Sequence, residues 1–204
     1  MKILMKTISV VFHPLLVATH LSAILIIKAP ELIPRIQPQV VPQFLLIIFL
    51  ITAIMPAFSV FLLKTFKYIS DLELIKKKER IIPFIFILFY YAIASYLFHE
   101  KLGMDLLFNV VIISATVLIL ILTLITLRFK ISIHAASMWA AVGYTSAILV
   151  SFGAALGGAF YALIFAAGLI SSSRLYLGYH TPREVWTGAI LGFSYAFLTI
   201  IVLL

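Results

Sequence analysis

Long apolar runs alternate with short polar clusters along the 204 residues of this chain. The runs cover 8–27, 43–63, 82–98, 106–127, 131–151, 155–172 and 185–204. An α-helix needs about 20 apolar residues to cross about 30 Å of hydrocarbon. The pattern therefore predicts an all-α, polytopic transmembrane bundle of six or seven spans. The run 82–98 is short for a full crossing, so a tilted or partly inserted helix is expected there. No internal repeat or second domain is visible, and residues 1–204 read as one transmembrane domain.

Polarity concentrates in the connections. Pro30, Pro34, Pro38 and Pro42 make 28–42 an irregular loop. The segment 64–80 is basic, with Lys64, Lys67, Lys76, Lys77, Lys78 and Arg80. Arg128, Lys130, Ser132 and His134 open the fifth run. The densest cluster is 173–184, where Ser173, Arg174, His180, Arg183 and Glu184 lie between two apolar runs. Polar groups at a membrane boundary are costly unless water, a ligand or each other satisfies them. A nucleophile, a carboxylate to orient it and guanidinium groups to hold anionic oxygens are what phosphoryl chemistry requires.

Composition agrees with the pattern. The chain is 64% hydrophobic and 11% charged, against about 25% charged in an ordinary soluble domain. Mean hydropathy is +1.22. A soluble protein of this length could not hide so much apolar surface. The first run is too long for the apolar part of a signal peptide and lacks a small-residue cleavage site, so it reads as a membrane helix. A net charge of +8 fits either the cytoplasmic excess of Lys and Arg or attraction to anionic lipid headgroups. The basic residues sit at helix ends, so a nucleic-acid partner is not expected. The absence of cysteine removes disulfides, thiolate nucleophiles and cysteine metal sites.

Parity links the polar clusters. Two spans separate residues 76–80 from Ser132 and His134, and two more separate that pair from His180. All three clusters are then expected on one membrane face, provided the third and fourth spans cross together. Gly153-xxx-Gly157 and Gly188-xxx-Gly192 have the spacing that lets helix backbones approach closely, and packing is expected of both.

Ser173-Arg174-x5-His180-x3-Glu184 resembles the third signature of the type 2 phosphatidic-acid phosphatase family, within the acid phosphatase and vanadium haloperoxidase superfamily. The family has aspartate where this chain has Glu184. Ile131-Ser132-Ile133-His134 keeps the serine and histidine of the second signature, Pro-Ser-Gly-His. Lys76-Lys77-Lys78-Glu79-Arg80-Ile81-Ile82-Pro83 keeps the residue types of the first signature, Lys-x6-Arg-Pro, but not its spacing. Glu73 stands seven residues before Arg80, where the family has lysine. The resemblance covers about 76–192 and implies an acid phosphatase/haloperoxidase-like core.

The resemblance implies that His180 attacks phosphorus to form a phosphohistidine, that Glu184 orients and supports its ring, and that His134 protonates the departing alcohol. It assigns phosphate binding to Arg174, Arg80, Ser132 and one of Lys76 or Lys77. On a helix either lysine would share a face with Arg80. It implies no cofactor and metal-independent chemistry. From the residues alone no metal site is expected either, because His13 and His20 are two turns apart without a carboxylate.

Simpler roles compete. Thr181-Pro182-Arg183-Glu184 fits a capping box. Arg174 could complement a helix dipole. Arg128 and Lys130 could do the same or reach to headgroups. The lysine run suits a positive-inside anchor, and His13 beside Pro14 suits a kink. A boundary site on such a chain should take a lipid with a phosphorylated head: phosphatidic acid, phosphatidylglycerol phosphate, undecaprenyl diphosphate or phosphorylated lipid A. The expected setting is a bacterial-type inner membrane, with the face undecided. The alternative is a non-catalytic protein that binds or moves a phospholipid. A vanadate-dependent peroxidase is disfavoured, since that chemistry is expected of soluble relatives.

Overall fold

The computed structural model describes every residue of the chain except Ala155. Nine α-helices occur in chain order among the described residues: α1 (Lys2–Val11), α2 (Pro14–Lys28), α3 (Val41–Phe49), α4 (Met55–Thr65), α5 (Ile81–Tyr96), α6 (Leu106–Arg128), α7 (Ile133–Phe152), α8 (Gly157–Tyr176) and α9 (Pro182–Leu203). No β-strand occurs among the described residues. Among the described residues, six helical stretches are long and apolar enough to cross a membrane: Pro38–Thr65, Lys77–Lys101, Leu106–Arg128, Ile133–Phe152, Gly157–Tyr176 and Pro182–Leu203. Large apolar side chains such as Phe58, Phe61, Phe89, Phe165, Trp186 and Leu198 remain exposed on their outer surfaces. That surface suits a hydrocarbon solvent, and the chain is an integral membrane protein.

The first apolar run departs from a straight span. α1 and α2 meet at a 59° bend. Phe12 ends α1, and His13 caps α2 by accepting the Leu15 N–H at its Nδ1 (3.3 Å), ahead of Pro14 at the first helical position. The kink expected at His13-Pro14 is therefore present. Only as a bent pair do α1 and α2 qualify as a seventh span.

The other spans also differ in detail from the apolar runs. Helical structure begins at Pro38, not 43, because Pro38 and Pro42 occupy opening turns where a missing N–H costs little. Leu50–Ile54 forms a π-turn just before Pro56. A proline ring clashes with the carbonyl four residues earlier, and the wider turn accommodates it. The short third run is extended at both ends, by a 3-10 turn at Lys77–Arg80 and a π-turn at Leu97–Lys101. The sixth run was expected from 155; its first residue lies outside the described residues, and the helix runs Gly157–Tyr176.

The tightest helix pair is α7 with α9. A methyl group on Gly188 would sit 2.6 Å from the Ser132 carbonyl oxygen, and one on Gly143 would sit 2.5 Å from that of Phe193. Gly192 abuts the Ala136 carbonyl still more closely. The expected packing role of Gly188 and Gly192 is thus realised. Gly153 and Gly157 do something else. Both have positive φ (61° and 47°), with open space where a side chain would be. Gly153 ends α7 in the left-handed conformation. Interhelical hydroxyl contacts hold the remaining spans: Ser114 with Tyr144 at 2.7 Å, Ser95 with Thr116 at 2.8 Å and Ser59 with Tyr90 at 2.9 Å.

Candidate functional site

The close α7–α9 pair brings two polar connections to one end of the bundle. The Ser132 N–H donates to the Glu184 carbonyl oxygen (3.1 Å). Lys130 Nζ donates to the Tyr179 carbonyl oxygen (2.8 Å). The start of α7 is thereby tied to the loop between α8 and α9. Lys130 does more than reach toward headgroups, since it fastens that loop. Burial lowers its pKa, with Arg80 and Arg174 acting in the same direction and Glu184 opposing.

A cavity of about 350 Å³ opens at this end, and Arg80, His134, Arg174 and His180 all line it. Four of the residues singled out from sequence, spread over about half the chain, therefore face a single space. Arg80 comes from the 3-10 turn before α5, His134 from the first turn of α7, Arg174 from the last turn of α8, and His180 from the loop preceding α9.

His180 has a defined tautomer. Its Nε2 lies 3.4 Å from Arg80 Nη2, and a guanidinium can only donate. Nε2 is therefore unprotonated. Nδ1 carries the proton and donates it to Glu184 Oε2 at 2.7 Å. Burial first, then the charges of Arg80, Arg174 and Lys130, pull the imidazole pKa down to about 2. The contact with Glu184 is accordingly a neutral N–H donor on a carboxylate, not an ion pair.

Glu184 also closes the capping box of α9. Its N–H donates to Thr181 Oγ1 (3.4 Å), and its Oε2 accepts from the Thr181 N–H (3.3 Å). One oxygen thus serves both the helix end and the histidine. The capping box and the contact with the His180 ring are both present.

Arg174 is 1% exposed. It stacks over the Tyr179 ring at 4.6 Å, donates from Nη1 to Glu73 Oε2 (3.1 Å) and to Ser9 Oγ (3.4 Å), and leaves Nε buried without a partner. Arg80 donates from Nε to the Leu74 carbonyl (2.7 Å) and from Nη1 to that of Ile131 (2.9 Å). Both guanidinium groups are thus fixed before any ligand arrives.

Three sequence candidates are placed elsewhere. Ser132 caps α7, its Oγ accepting the Ala135 N–H (3.4 Å), and it does not line the cavity. Lys76 pairs with Glu79 at 3.2 Å. Lys77 donates to the carbonyls of Leu127 (3.3 Å) and Arg128 (3.1 Å), capping the end of α6. Lys76 shares no helical face with Arg80, because its backbone is extended; Lys77 lies three residues from Arg80 in a 3-10 turn, but its ammonium is taken by the carbonyls at the end of α6.

Two polar residues of the cavity were not among the candidates. Glu73 lines it from the loop after α4. His13 lines it from the α1–α2 bend, its ring edge-on to that of His134 with centroids 5.1 Å apart. α1 is held there by Ser173, whose Oγ donates to the Met5 carbonyl (2.7 Å) and contacts Ser9 Oγ (2.9 Å). The spacing Ser9-x3-His13, one helical turn, was the available sequence signal. No three of the described His, Asp or Glu side chains form a group that could hold a metal ion.

A second, apolar cavity of about 100 Å³ lies among α2, α5, α6 and α7. Pro14, Leu15, Phe84, Ile87 and Ile133 line both cavities, so the chamber that holds the two arginines borders a second, apolar one inside the bundle.

No family model matches this sequence, and no curated protein or solved structure gives a significant match.

Proposed function

We propose that this protein is a membrane lipid phosphatase of the type 2 phosphatidic-acid phosphatase kind, working through a phosphohistidine on His180. The observation that carries the reading is the state of His180: neutral, with Nδ1–H held by Glu184 and Nε2 unprotonated beside Arg80 at the cavity. A nucleophile with a positioned orienting group is the arrangement covalent catalysis uses.

Chemistry follows from those positions. A phosphoryl group entering the cavity takes donors from Arg80 and Arg174. The Arg80 Nη2 contact passes from Nε2 to a phosphoryl oxygen and frees the lone pair. Nε2 forms a bond to phosphorus as the bond to the alkoxy oxygen breaks. His134 takes up a proton from water as the phosphate dianion enters beside it, and gives that proton to the departing oxygen. Charge on the ring is offset by Glu184. Water then attacks the phosphohistidine, giving its proton to His134, and inorganic phosphate departs. The arginines stabilise charge on the equatorial oxygens throughout. The adjoining apolar cavity favours a substrate whose phosphate is joined to a hydrocarbon chain. A bacterial inner membrane is the proposed setting.

The second reading is a non-catalytic phospholipid-binding or transporting protein. It is favoured by Glu73, which occupies Arg174 where a phosphate-binding lysine stands in the resembled family. Phosphate release from a mixed panel of phosphorylated lipids separates the two. Wild type should release phosphate and His180→Ala should not. Equal release by both would remove His180 as nucleophile, and no release by wild type would favour the binding protein.

A further inference from the structure

The charges around the cavity do not suit a bare phosphate dianion. Arg80 and Arg174 line it as cations. Glu73 lines it as a carboxylate, and Glu184 stands behind His180 as a second one. Lys130, held on the Tyr179 carbonyl beside His180, adds a third cation, so three positive and two negative groups leave a net charge of about +1, less than a phosphate dianion carries. A site built only to hold a phosphomonoester gains nothing from an acidic wall, because a carboxylate a few ångströms away repels the incoming anion.

The Glu73 carboxylate is fixed on one side only. Its Oε2 accepts from Arg174 Nη1 at 3.1 Å, and its Oε1 has no hydrogen-bond partner among the described residues. The side chain is 39% exposed. Its loop is anchored to the second arginine as well, through the Leu74 carbonyl on Arg80 Nε. Leu74 takes a positive φ of 50°, a conformation costly for leucine, in making that turn. Glu73 is thus held against the phosphate-binding groups with one oxygen unspent. Arg174 Nε is buried and has no hydrogen-bond partner among the described residues.

A cavity with guanidinium donors and an unspent carboxylate oxygen is complementary to a zwitterion. Resting on the phosphate-binding reading of the arginines, we propose that Glu73 is a specificity-determining residue, and that the preferred substrate is a phosphomonoester lipid bearing a protonated amine close to its phosphate. The phosphate neutralises Arg80 and Arg174, and the ammonium pairs with Glu73. The complex then retains charge balance without expelling the Glu73 loop.

Two soluble probes isolate the ammonium: 2-aminoethyl phosphate and ethyl phosphate. Their binding to full-length protein in detergent is measured by titration calorimetry, for wild type, Glu73→Gln and His180→Ala. Wild type and His180→Ala should bind the amino probe up to about fivefold more tightly, as one partly screened ion pair allows. Glu73→Gln should abolish that preference, weakening the amino probe and strengthening the other. Equal affinities in wild type, or no binding of either probe, would overturn the proposal; this comparison decides even if Glu73→Gln fails to fold. Equal tightening of both probes by Glu73→Gln would also overturn it, by showing that Glu73 only competes for Arg174. A wild type that prefers the amino probe yet releases phosphate from no lipid would defeat the phosphatase reading and leave this one standing.

Discussion

Replacing Glu184 by glutamine separates its two roles. In the native site Oε2 accepts both the His180 Nδ1 proton and the Thr181 N–H. Glutamine still fits a capping box, which takes Glu or Gln at this position. It also brings an NH2 group that can donate to His180 Nδ1. The imidazole is then driven to the other tautomer, with its proton on Nε2 and no lone pair facing phosphorus. Holding a catalytic histidine in the wrong tautomer costs on the order of 10⁴ in turnover, equivalent to about 5 kcal/mol. The helix end should lose less than about 1 kcal/mol. For a chain of this length that is a fall in Tm below about 4 °C. The assay pairs kcat for phosphate release with thermal melting in the same detergent. Turnover within tenfold of wild type would refute the tautomer argument. A large fall in Tm that tracks the activity loss would show that Glu184 serves the helix alone.

Further perturbations test the frame around the site. Gly192→Ala forces a methyl group against the Ala136 backbone and should destabilise by about 1–3 kcal/mol, whereas Gly168→Ala, in open space within α8, should stabilise by up to about 1 kcal/mol. Equal melting temperatures for the two would contradict the close α7–α9 approach. The lowered pKa of His180 means that the unfolded chain takes up a proton near pH 6.5 that the folded chain refuses until about pH 2. Its contribution to stability is therefore complete above pH 6.5 and is lost as pH falls, by up to about 1.4 kcal/mol per pH unit. Melting between pH 7.5 and 4.5 should show a steeper decline for wild type than for His180→Gln, and identical slopes would contradict the neutral, buried imidazole.

The parts of the site that were legible in the sequence depended on spacing and parity. His180 and Glu184 lie one helical turn apart, and Arg174 ends the preceding span. An even number of crossings carries the chain back to the same end each time, which is why Arg80 and His134 reach the same cavity. Glu73 and His13 were not legible because each arrives through irregular backbone. A loop with positive φ at Lys67 and Leu74 delivers the first, and a 59° bend delivers the second. The first leaves no periodic trace, and the second leaves only the Ser9-x3-His13 spacing of one helical turn. Lys76 misled because it lies just ahead of the helical turn with extended backbone, and Lys77 because the open carbonyls at the end of α6 take its ammonium. Gly153 and Gly157 misled because glycine spacing alone does not distinguish a backbone contact from a left-handed helix end.

Rapid quenching with a lipid labelled with radioactive phosphate tests the central claim most directly. Captured phosphorus on His180 predicts an acid-labile, base-stable label on the peptide containing that residue, formed before free phosphate appears and absent from His180→Ala. Steady release of phosphate with no label on the protein at any time would contradict it.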